Sequence, residues 1–191
     1  MTTAEPAIPH PTPPGPVLVT GGVRSGKSRH AEQLLADHRS VVYLAAGPVY
    51  DDADWADRVA RHRARRPADW TTRECLDIAD VLSAAAAAGQ PVLLDCLGTW
   101  LTGVVDAADA WERPVEEVEQ IVQDALAPAL TVLREARTSV VLVTNEVGLG
   151  VVPEHRSGRL FRDLLGRVNQ EVGAVCAEVH LVVAGRVLRL T

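Results

Sequence analysis

Eight residues near the start of the chain have the types and spacing of a phosphate-binding loop. Residues 21–28 fit the pattern G-x-x-x-x-G-K-[ST] at every fixed position. Glycines let such a loop curl until its N–H groups converge on phosphate oxygens, and a helix that begins at the lysine adds the positive end of its dipole. We therefore expect the whole loop to bind a triphosphate: Gly21, Gly22, Val23, Arg24, Ser25, Gly26, Lys27 and Ser28.

Three side chains of this motif and its surroundings could do chemistry. Lys27 should reach the outer phosphates, and the Ser28 hydroxyl should ligate Mg²⁺. Asp95 follows an apolar run at a predicted strand end, where such folds place the carboxylate that holds the metal, directly or through water. The alternative for Asp95 is a cap for the next segment. The motif predicts a nucleotide triphosphatase or a kinase and does not separate the two.

A second stretch, residues 52–66, is predicted to be a helix with acidic residues first and arginines last, which suits the helix dipole. Trp55, Val59 and His62 share one face, so His62 should point inward. An inward histidine is usually a satisfied core residue, and that reading stays open. Imidazole is nevertheless a competent nucleophile toward phosphorus, and nearby arginines would neutralise charge on the phosphates. His62 is therefore a candidate nucleophile for nucleotidyl transfer.

Strands and helices alternate along the rest of the chain. We predict strands at 16–22, 40–47, 70–74, 91–97 and 139–148, helices from 26, at 76–88, 114–136 and 157–177, and a final hairpin around Ala184-Gly185 at the sheet edge. The inner strands are apolar on both faces. This pattern predicts a P-loop NTPase of the α/β class (RecA-like), with a mostly parallel sheet flanked by helices and the ligand at the strand carboxyl ends.

Composition narrows the class of protein further. The length of 191 residues favours one domain over 16–191, after a proline-rich tail at 1–15 that we predict to be disordered and that lacks the pattern of a secretory signal. The net charge of −6 argues weakly against a nucleic-acid partner, and no apolar run reaches membrane-spanning length. Three scattered cysteines indicate reduced thiols and a cytoplasmic location.

Four segments in this order and spacing carry a resemblance to a known family: VTGGVRSGKSRHAE, RVARHRARRPADW, LLDCLGTWLT and VLVTNEVGLGVVPEHRSGRLFRDLLGRVNQ. Over about residues 16 to 190 the chain resembles the bifunctional adenosylcobinamide kinase / adenosylcobinamide-phosphate guanylyltransferase family of cobalamin biosynthesis. The resemblance implies phosphorylation of the aminopropanol hydroxyl of adenosylcobinamide by ATP or GTP. It then implies transfer of GMP from GTP, through a histidine matched here by His62, to give adenosylcobinamide-GDP.

The resemblance also implies Mg²⁺, a homotrimer and further nucleotide contacts. These contacts would be Ala46, Gly47, Pro48, Arg63, Ala64, Arg65, Arg66, Glu74 and Asp95. Some relatives carry glutamate where this chain has Asp95, so the shorter side chain leaves direct metal ligation open. Some relatives also have a second histidine where Arg61 stands here, which leaves His62 as the candidate in this segment.

Two other functions are compatible with the loop alone. A plain small-molecule kinase would use Lys27, Ser28 and Asp95 and would form no covalent nucleotide. A nucleotide-binding regulatory module would use the long helix at 114–136 for partner contacts. Asn145 and Glu146, at the end of another predicted strand, could orient the cobinamide hydroxyl or a metal-bound water, or could cap the following loop.

Overall fold

A computed structural model describes residues 15–47 and 66–190. The predicted tail therefore lies outside the described residues except for Gly15. The predicted helix at 52–66, with His62, lies outside them except for Arg66. Pro48, Arg63, Ala64 and Arg65 are also outside this part of the chain.

The described strands form one seven-stranded sheet in the order β3-β2-β4-β5-β1-β6-β7. They are β1 (Val17–Gly21), β2 (Val42–Ala45), β3 (Thr71–Glu74), β4 (Val92–Asp95), β5 (Val140–Val143), β6 (Glu178–Val183) and β7 (Arg186–Leu190). Every neighbouring pair is parallel except β6 and β7, which form an antiparallel hairpin at the sheet edge. The predicted mostly parallel sheet and its final hairpin are confirmed.

Five helices are described, and two of them have a side-chain contact that caps the N-terminus. They are α1 (Lys27–Leu34), α2 (Ile78–Ala87), α3 (Leu97–Ala107), α4 (Val115–Glu135) and α5 (Arg156–Val175). Asp77 caps α2, since its carboxylate accepts a hydrogen bond from the Asp80 N–H at 3.0 Å. Glutamates in the first turn of α4 and Arg134 in its last turn oppose the helix dipole. None of the described helices is long and apolar enough to cross a membrane.

Two hydrophobic layers enclose the sheet. Successive side chains of a strand point to opposite faces, so each of the inner strands β1, β2, β4 and β5 contributes to both layers, whereas the edge strands β3 and β7 are mostly exposed. On one face Val19, Leu93 and Val143 are buried together with Ala31 of α1. On the other face the core is made with α2 to α5. Burial on both faces explains the unbroken apolar runs of the inner strands. Because β4, β5 and β1 are neighbours and parallel, their carboxyl ends lie side by side at one edge of the sheet.

Helix α3 was not predicted, and it corrects one strand boundary. The predicted strand at 91–97 ends at Asp95, and Leu97 is the first residue of α3. The Cys96 N–H donates to Thr99 Oγ1 at 3.4 Å, which caps the new helix. The predicted strand at 139–148 likewise ends at Val143, before a loop.

Candidate nucleotide site

The loop between β1 and α1 has the curled shape that its sequence predicts. Gly26 has φ of 100°, a conformation that side chains disfavour, and α1 begins at the next residue. The Ser25 N–H donates to Gly22 O at 3.3 Å, closing the turn, and the His30 N–H donates to Gly26 O at 3.0 Å, starting the helix. The loop therefore leads directly into a helix N-terminus, where phosphate binding is favoured.

Two neighbouring segments hold this loop in place. From the β6–β7 turn, the Gly185 N–H donates to Ser25 O at 2.9 Å. From the segment after β5, the Glu146 N–H donates to Gly21 O at 3.1 Å. The loop is thus fixed on both sides by segments next to the strands that flank β1. This reduces the conformational entropy that the loop loses when a phosphate binds.

Lys27 is the only lysine in the chain, and the other 18 residues of the Lys and Arg set are arginines. Its side chain is 7% exposed, and Nζ donates to Gly22 O at 3.3 Å. The ammonium is therefore kept inside the curl of the loop. A compact cation at this position suits the outer phosphates of a nucleotide as a point charge.

A cleft at the carboxyl end of the sheet brings the predicted residues Lys27, Ser28 and Asp95 together with Asn145. The cleft is lined by Lys27, Ser28, Asp95, Cys96, Gly98, Thr99, Thr102, Asn145 and Phe161. The residues from α3, with Cys96 before it and Phe161 of α5, were not predicted. Burial, and then the Asp95 carboxylate, raise the pKa of Cys96, so its thiol keeps its proton at neutral pH.

The oxygen donors of this cleft suit Mg²⁺. Ser28, Asp95 and Asn145 supply a hydroxyl, a carboxylate and an amide oxygen. Magnesium keeps several waters and usually binds through one or two protein groups together with substrate phosphates. No cluster of three or more histidine, cysteine or acidic residues suited to a metal occurs within 15–47 and 66–190. The residues therefore fit a metal that is held together with a nucleotide.

Asp95 accepts a hydrogen bond from Tyr43, which in turn packs against Arg66, and neither residue lines the cleft. The Tyr43 hydroxyl donates to Asp95 Oδ2 at 3.0 Å, and the Arg66 guanidinium carbon lies 3.2 Å from the centroid of the Tyr43 ring. Arg66 Nη1 also donates to Thr72 Oγ1 of β3 at 3.0 Å. Burial and the nearby Asp95 carboxylate raise the pKa of Tyr43 well above its ordinary value, so its phenol remains a donor. Arg66, which the resemblance groups with nucleotide contacts, therefore rests against the sheet.

Two other predicted nucleotide residues, Ala46 and Gly47, lie against the cleft wall. Thr99 Oγ1 donates to Ala46 O at 2.8 Å, and a Cβ placed on Gly47 would lie 2.6 Å from Thr99 Cβ. The segment after β2 thus packs directly on α3. Glu74 is exposed at the end of β3, and β2 separates β3 from β4, so Glu74 lies farther out than Asp95.

Asn145 and Glu146 have different surroundings. Buried Thr144 donates to Asn169 Oδ1 at 2.6 Å, and Asn169 Nδ2 donates to Asn145 O at 3.0 Å, so α5 fixes the backbone that presents Asn145 to the cleft. Glu146 Oε1 instead accepts a hydrogen bond from the Gly148 N–H at 3.0 Å. The side chain of Glu146 therefore caps the loop, as one of the two sequence alternatives held, while Asn145 lines the cleft.

A chain of hydrogen bonds joins α1 to the C-terminal hairpin. His30 Nε2 lies 2.9 Å from His180 Nδ1, and fully buried His180 places Nε2 2.6 Å from Glu178 Oε2. A carboxylate only accepts, so His180 donates to Glu178 and, when neutral, accepts from His30. Burial, then His180 and Arg189, lower the pKa of His30 to about 4.

This cluster predicts acid-sensitive stability. The unfolded chain protonates His30 near its ordinary pKa of 6.5, whereas the folded chain resists protonation until about pH 4. The contribution is complete above pH 6.5 and is lost as the pH falls toward 4, by about 2 kcal/mol for a half-buried ring after allowance for solvent screening. Denaturant unfolding at several pH values should show a flatter dependence for His30→Gln. The exposed His155→Gln variant should keep the wild-type slope, and equal slopes for all three proteins would contradict the assignment.

Comparison with known proteins identifies the family of the chain. Residues 17–190 match the family model described as cobinamide kinase / cobinamide phosphate guanyltransferase. The bifunctional adenosylcobalamin biosynthesis protein CobU of Salmonella typhimurium is 42% identical over 174 residues, which cover 88% of this chain and 96% of that protein. CobU of Escherichia coli is 41% identical over 176 residues with the same coverage. CobP of Pseudomonas aeruginosa is 40% identical over 169 residues, covering 88% of this chain and 92% of its own.

The solved structures support the fold independently. An ATPase of a bacterial type III secretion system superposes with a TM-score of 0.55 at 11% identity, covering 87% of this chain and 50% of that one. At this identity the likeness concerns the fold alone, and it agrees with the sheet and loop described above. Since the family model spans nearly all of the described sequence and the relatives align over almost their full length, the chain belongs to the cobinamide kinase / cobinamide phosphate guanyltransferase family.

Proposed function

We propose that this protein phosphorylates the aminopropanol hydroxyl of adenosylcobinamide with ATP or GTP, and then transfers GMP from GTP to the new phosphate. The product is adenosylcobinamide-GDP, an intermediate of cobalamin biosynthesis. The proposal rests on the cleft that unites Lys27, Ser28, Asp95 and Asn145 at the carboxyl ends of β4 and β5, in a chain that belongs to this family.

In the kinase step, the hydroxyl oxygen forms a bond to the γ-phosphorus, and the bond from that phosphorus to the β,γ-bridging oxygen breaks. The nucleoside diphosphate leaves, and the hydroxyl proton passes to solvent water. The loop N–H groups and Lys27 hold the phosphates and stabilise the charge that develops on them. Asn145, held by Asn169, is in the cleft to orient the attacking hydroxyl. Ser28 and Asp95 would hold Mg²⁺, which would supply neutralisation of the phosphate charge.

In the guanylyl step, we propose His62 as the nucleophile. Its neutral imidazole nitrogen forms a bond to the α-phosphorus of GTP, and the bond to pyrophosphate breaks. A phosphate oxygen of adenosylcobinamide phosphate then attacks the same phosphorus, and the bond to His62 breaks, restoring the free imidazole. Lys27 and the arginines of the segment that carries His62 stabilise the negative charge on the departing pyrophosphate.

The remaining assignments follow from the resemblance. We propose that the nucleotide site is completed by Ala46, Gly47, Pro48, Arg63, Ala64, Arg65 and Glu74, in a single domain over 16–191. We also propose a cytoplasmic homotrimer. Leu149 and Val151 are 87% and 94% exposed on the loop after β5, and such apolar side chains are surface that an assembly would cover.

Product analysis tests the proposed function. The purified protein is incubated with Mg²⁺, adenosylcobinamide, ATP and GTP. The corrinoids are then separated, and their masses are measured by mass spectrometry. We expect first the mass of one added phosphate and then that of an added GDP group, with pyrophosphate released only when GTP is present. Phosphorylated adenosylcobinamide without the second product would indicate a plain small-molecule kinase. Nucleotide binding with neither product would favour a nucleotide-binding regulatory module.

A further inference from the structure

The hydroxyl of Tyr43 on β2 contacts Asp95, the carboxylate that the proposed function assigns to the metal. Residues paired across parallel strands share a face of the sheet, and the register pairs Tyr43 with Thr72 on β3 and with Leu93 on β4. Asp95 is two residues beyond Leu93 and so belongs to the same face. Tyr43 is 2% exposed, and its hydroxyl therefore has little access to water as an alternative partner.

We propose that Tyr43 is a positioning residue for the carboxylate of Asp95. Its hydroxyl orients Asp95 toward the cleft, and Arg66 packs on its ring and ties it to the neighbouring strand through Thr72. The inference rests on the proposed function, because it concerns the same metal-binding carboxylate.

The hydroxyl contact sets the orientation of Asp95. Tyr43 donates to Oδ2 at 3.0 Å, so this oxygen is committed to the sheet and the carboxylate plane is fixed. Asp95 also lines the cleft. A hydrogen bond to a charged group is stronger than one between neutral groups, and fixing the carboxylate in advance lowers the ordering needed when a metal is bound.

The ring contact holds the Tyr43 side chain in place on the sheet. The Arg66 guanidinium stacks 3.2 Å from the centroid of the ring, and its Nη1 donates to Thr72 on the neighbouring strand. A guanidinium on a ring face is attracted by the ring quadrupole, more strongly when water is excluded. Arg66 is followed by Pro67, whose fixed φ further restricts the chain at this point. Through Arg66, β3 therefore supports the ring whose hydroxyl contacts Asp95.

The Tyr43→Phe variant tests the hydroxyl contact, because it removes the donor and keeps the ring. Calorimetry would measure binding of α,β-methylene-GTP, which cannot be cleaved between its α and β phosphates, over a range of Mg²⁺ concentrations. We expect the Mg²⁺ concentration for half-maximal tightening to rise about tenfold, the consequence of losing one charge-assisted hydrogen bond. Affinity for the analogue without Mg²⁺ should not change.

The matched control is Trp111→Phe, which removes an aromatic donor to another carboxylate, Asp106, outside the cleft lining. This control should keep the wild-type Mg²⁺ dependence. In the Asp95→Asn background, Tyr43→Phe should have no further effect on Mg²⁺ dependence. A folded Tyr43→Phe protein with the wild-type Mg²⁺ requirement, or an additive effect in the double variant, would overturn the hydroxyl assignment.

The Arg66→Met variant tests the ring contact. It should raise the Mg²⁺ concentration for half-maximal tightening of α,β-methylene-GTP binding in the same direction as Tyr43→Phe but by less, because the hydroxyl donor to Asp95 is kept. Tyr43→Phe should reach the wild-type labelling rate at saturating Mg²⁺. Loss of analogue binding in Arg66→Met would instead make Arg66 a nucleotide ligand. An unlabelled wild-type protein would refute the guanylyl step, while the Mg²⁺ titration would still decide the role of the Tyr43 hydroxyl.

Discussion

Replacing His62 by alanine is expected to remove the covalent label that α-labelled GTP leaves on the wild-type chain. The imidazole nitrogen is the atom that bonds to phosphorus in the proposed guanylyl step, and alanine offers no substitute. Loss of a nucleophile commonly costs a thousandfold or more in rate, so guanylyl transfer should fall by at least roughly 10³-fold. Formation of adenosylcobinamide phosphate should be less affected, because the kinase step needs no protein nucleophile.

The measurement uses Mg²⁺ and GTP labelled at the α-phosphate, followed by denaturation and detection of label on the chain. A phosphorus–nitrogen bond to histidine should be labile in acid and stable in base, and peptide mapping should place it on His62. The exposed His155→Ala variant is the matched control and should be labelled like wild type. Full guanylyl transfer by His62→Ala would show that another group is the nucleophile.

Much of the fold could be predicted because its signals are local. The apolar runs of β1, β4 and β5 are buried on both faces, which makes them continuous in sequence. The glycines and the lysine of residues 21–28 identify the loop, because the curl needs residues without side chains. The alternation of strands and helices then gives a parallel sheet, and the carboxyl ends of its strands give the position of the site.

Helix α3 shows where local signals were insufficient. Gly98, Thr99, Thr102 and Gly103 have modest or poor helix propensity, and the apolar residues from Val92 to Leu97 read as one continuous strand. The signal that could have revealed α3 is the spacing of buried Leu97, Leu101 and Val105, together with a threonine three residues after Cys96. Missing this helix meant missing one wall of the cleft.

Contacts between distant residues were beyond any sequence pattern. His30 and His180 are 150 positions apart, and neither has a spacing typical of a paired site. Tyr43 reads as one more apolar position of a buried strand, although its hydroxyl reaches Asp95, 52 positions away. Both contacts depend on strand order and register, which are set by the packing of the whole sheet. They therefore emerge only once β2 lies beside β4 and β1 beside β6.

Lys27→Ala is expected to impair both half-reactions. Lys27 is the only lysine of the chain and is 7% exposed, and its ammonium donates to Gly22 O inside the loop. Removing a preorganised charge of this kind costs about 10²- to 10³-fold in rate. Steady-state rates of adenosylcobinamide phosphate formation and of protein labelling from GTP should fall together.

Arg29→Ala is the matched control, because it removes one exposed positive charge from the same helix. It should leave both rates near wild type. Equal losses in the two variants would show that Lys27 acts only through its contribution to the positive charge of the helix.

The comparison of Lys27→Ala with His62→Ala tests how many nucleotide sites the protein has. If Lys27 serves both half-reactions and His62 serves only the guanylyl step, one phosphate loop must bind the nucleotide of both steps. A Lys27→Ala protein that lost one half-reaction and kept the other would instead require two separate nucleotide sites, of which the loop at 21–28 would be only one.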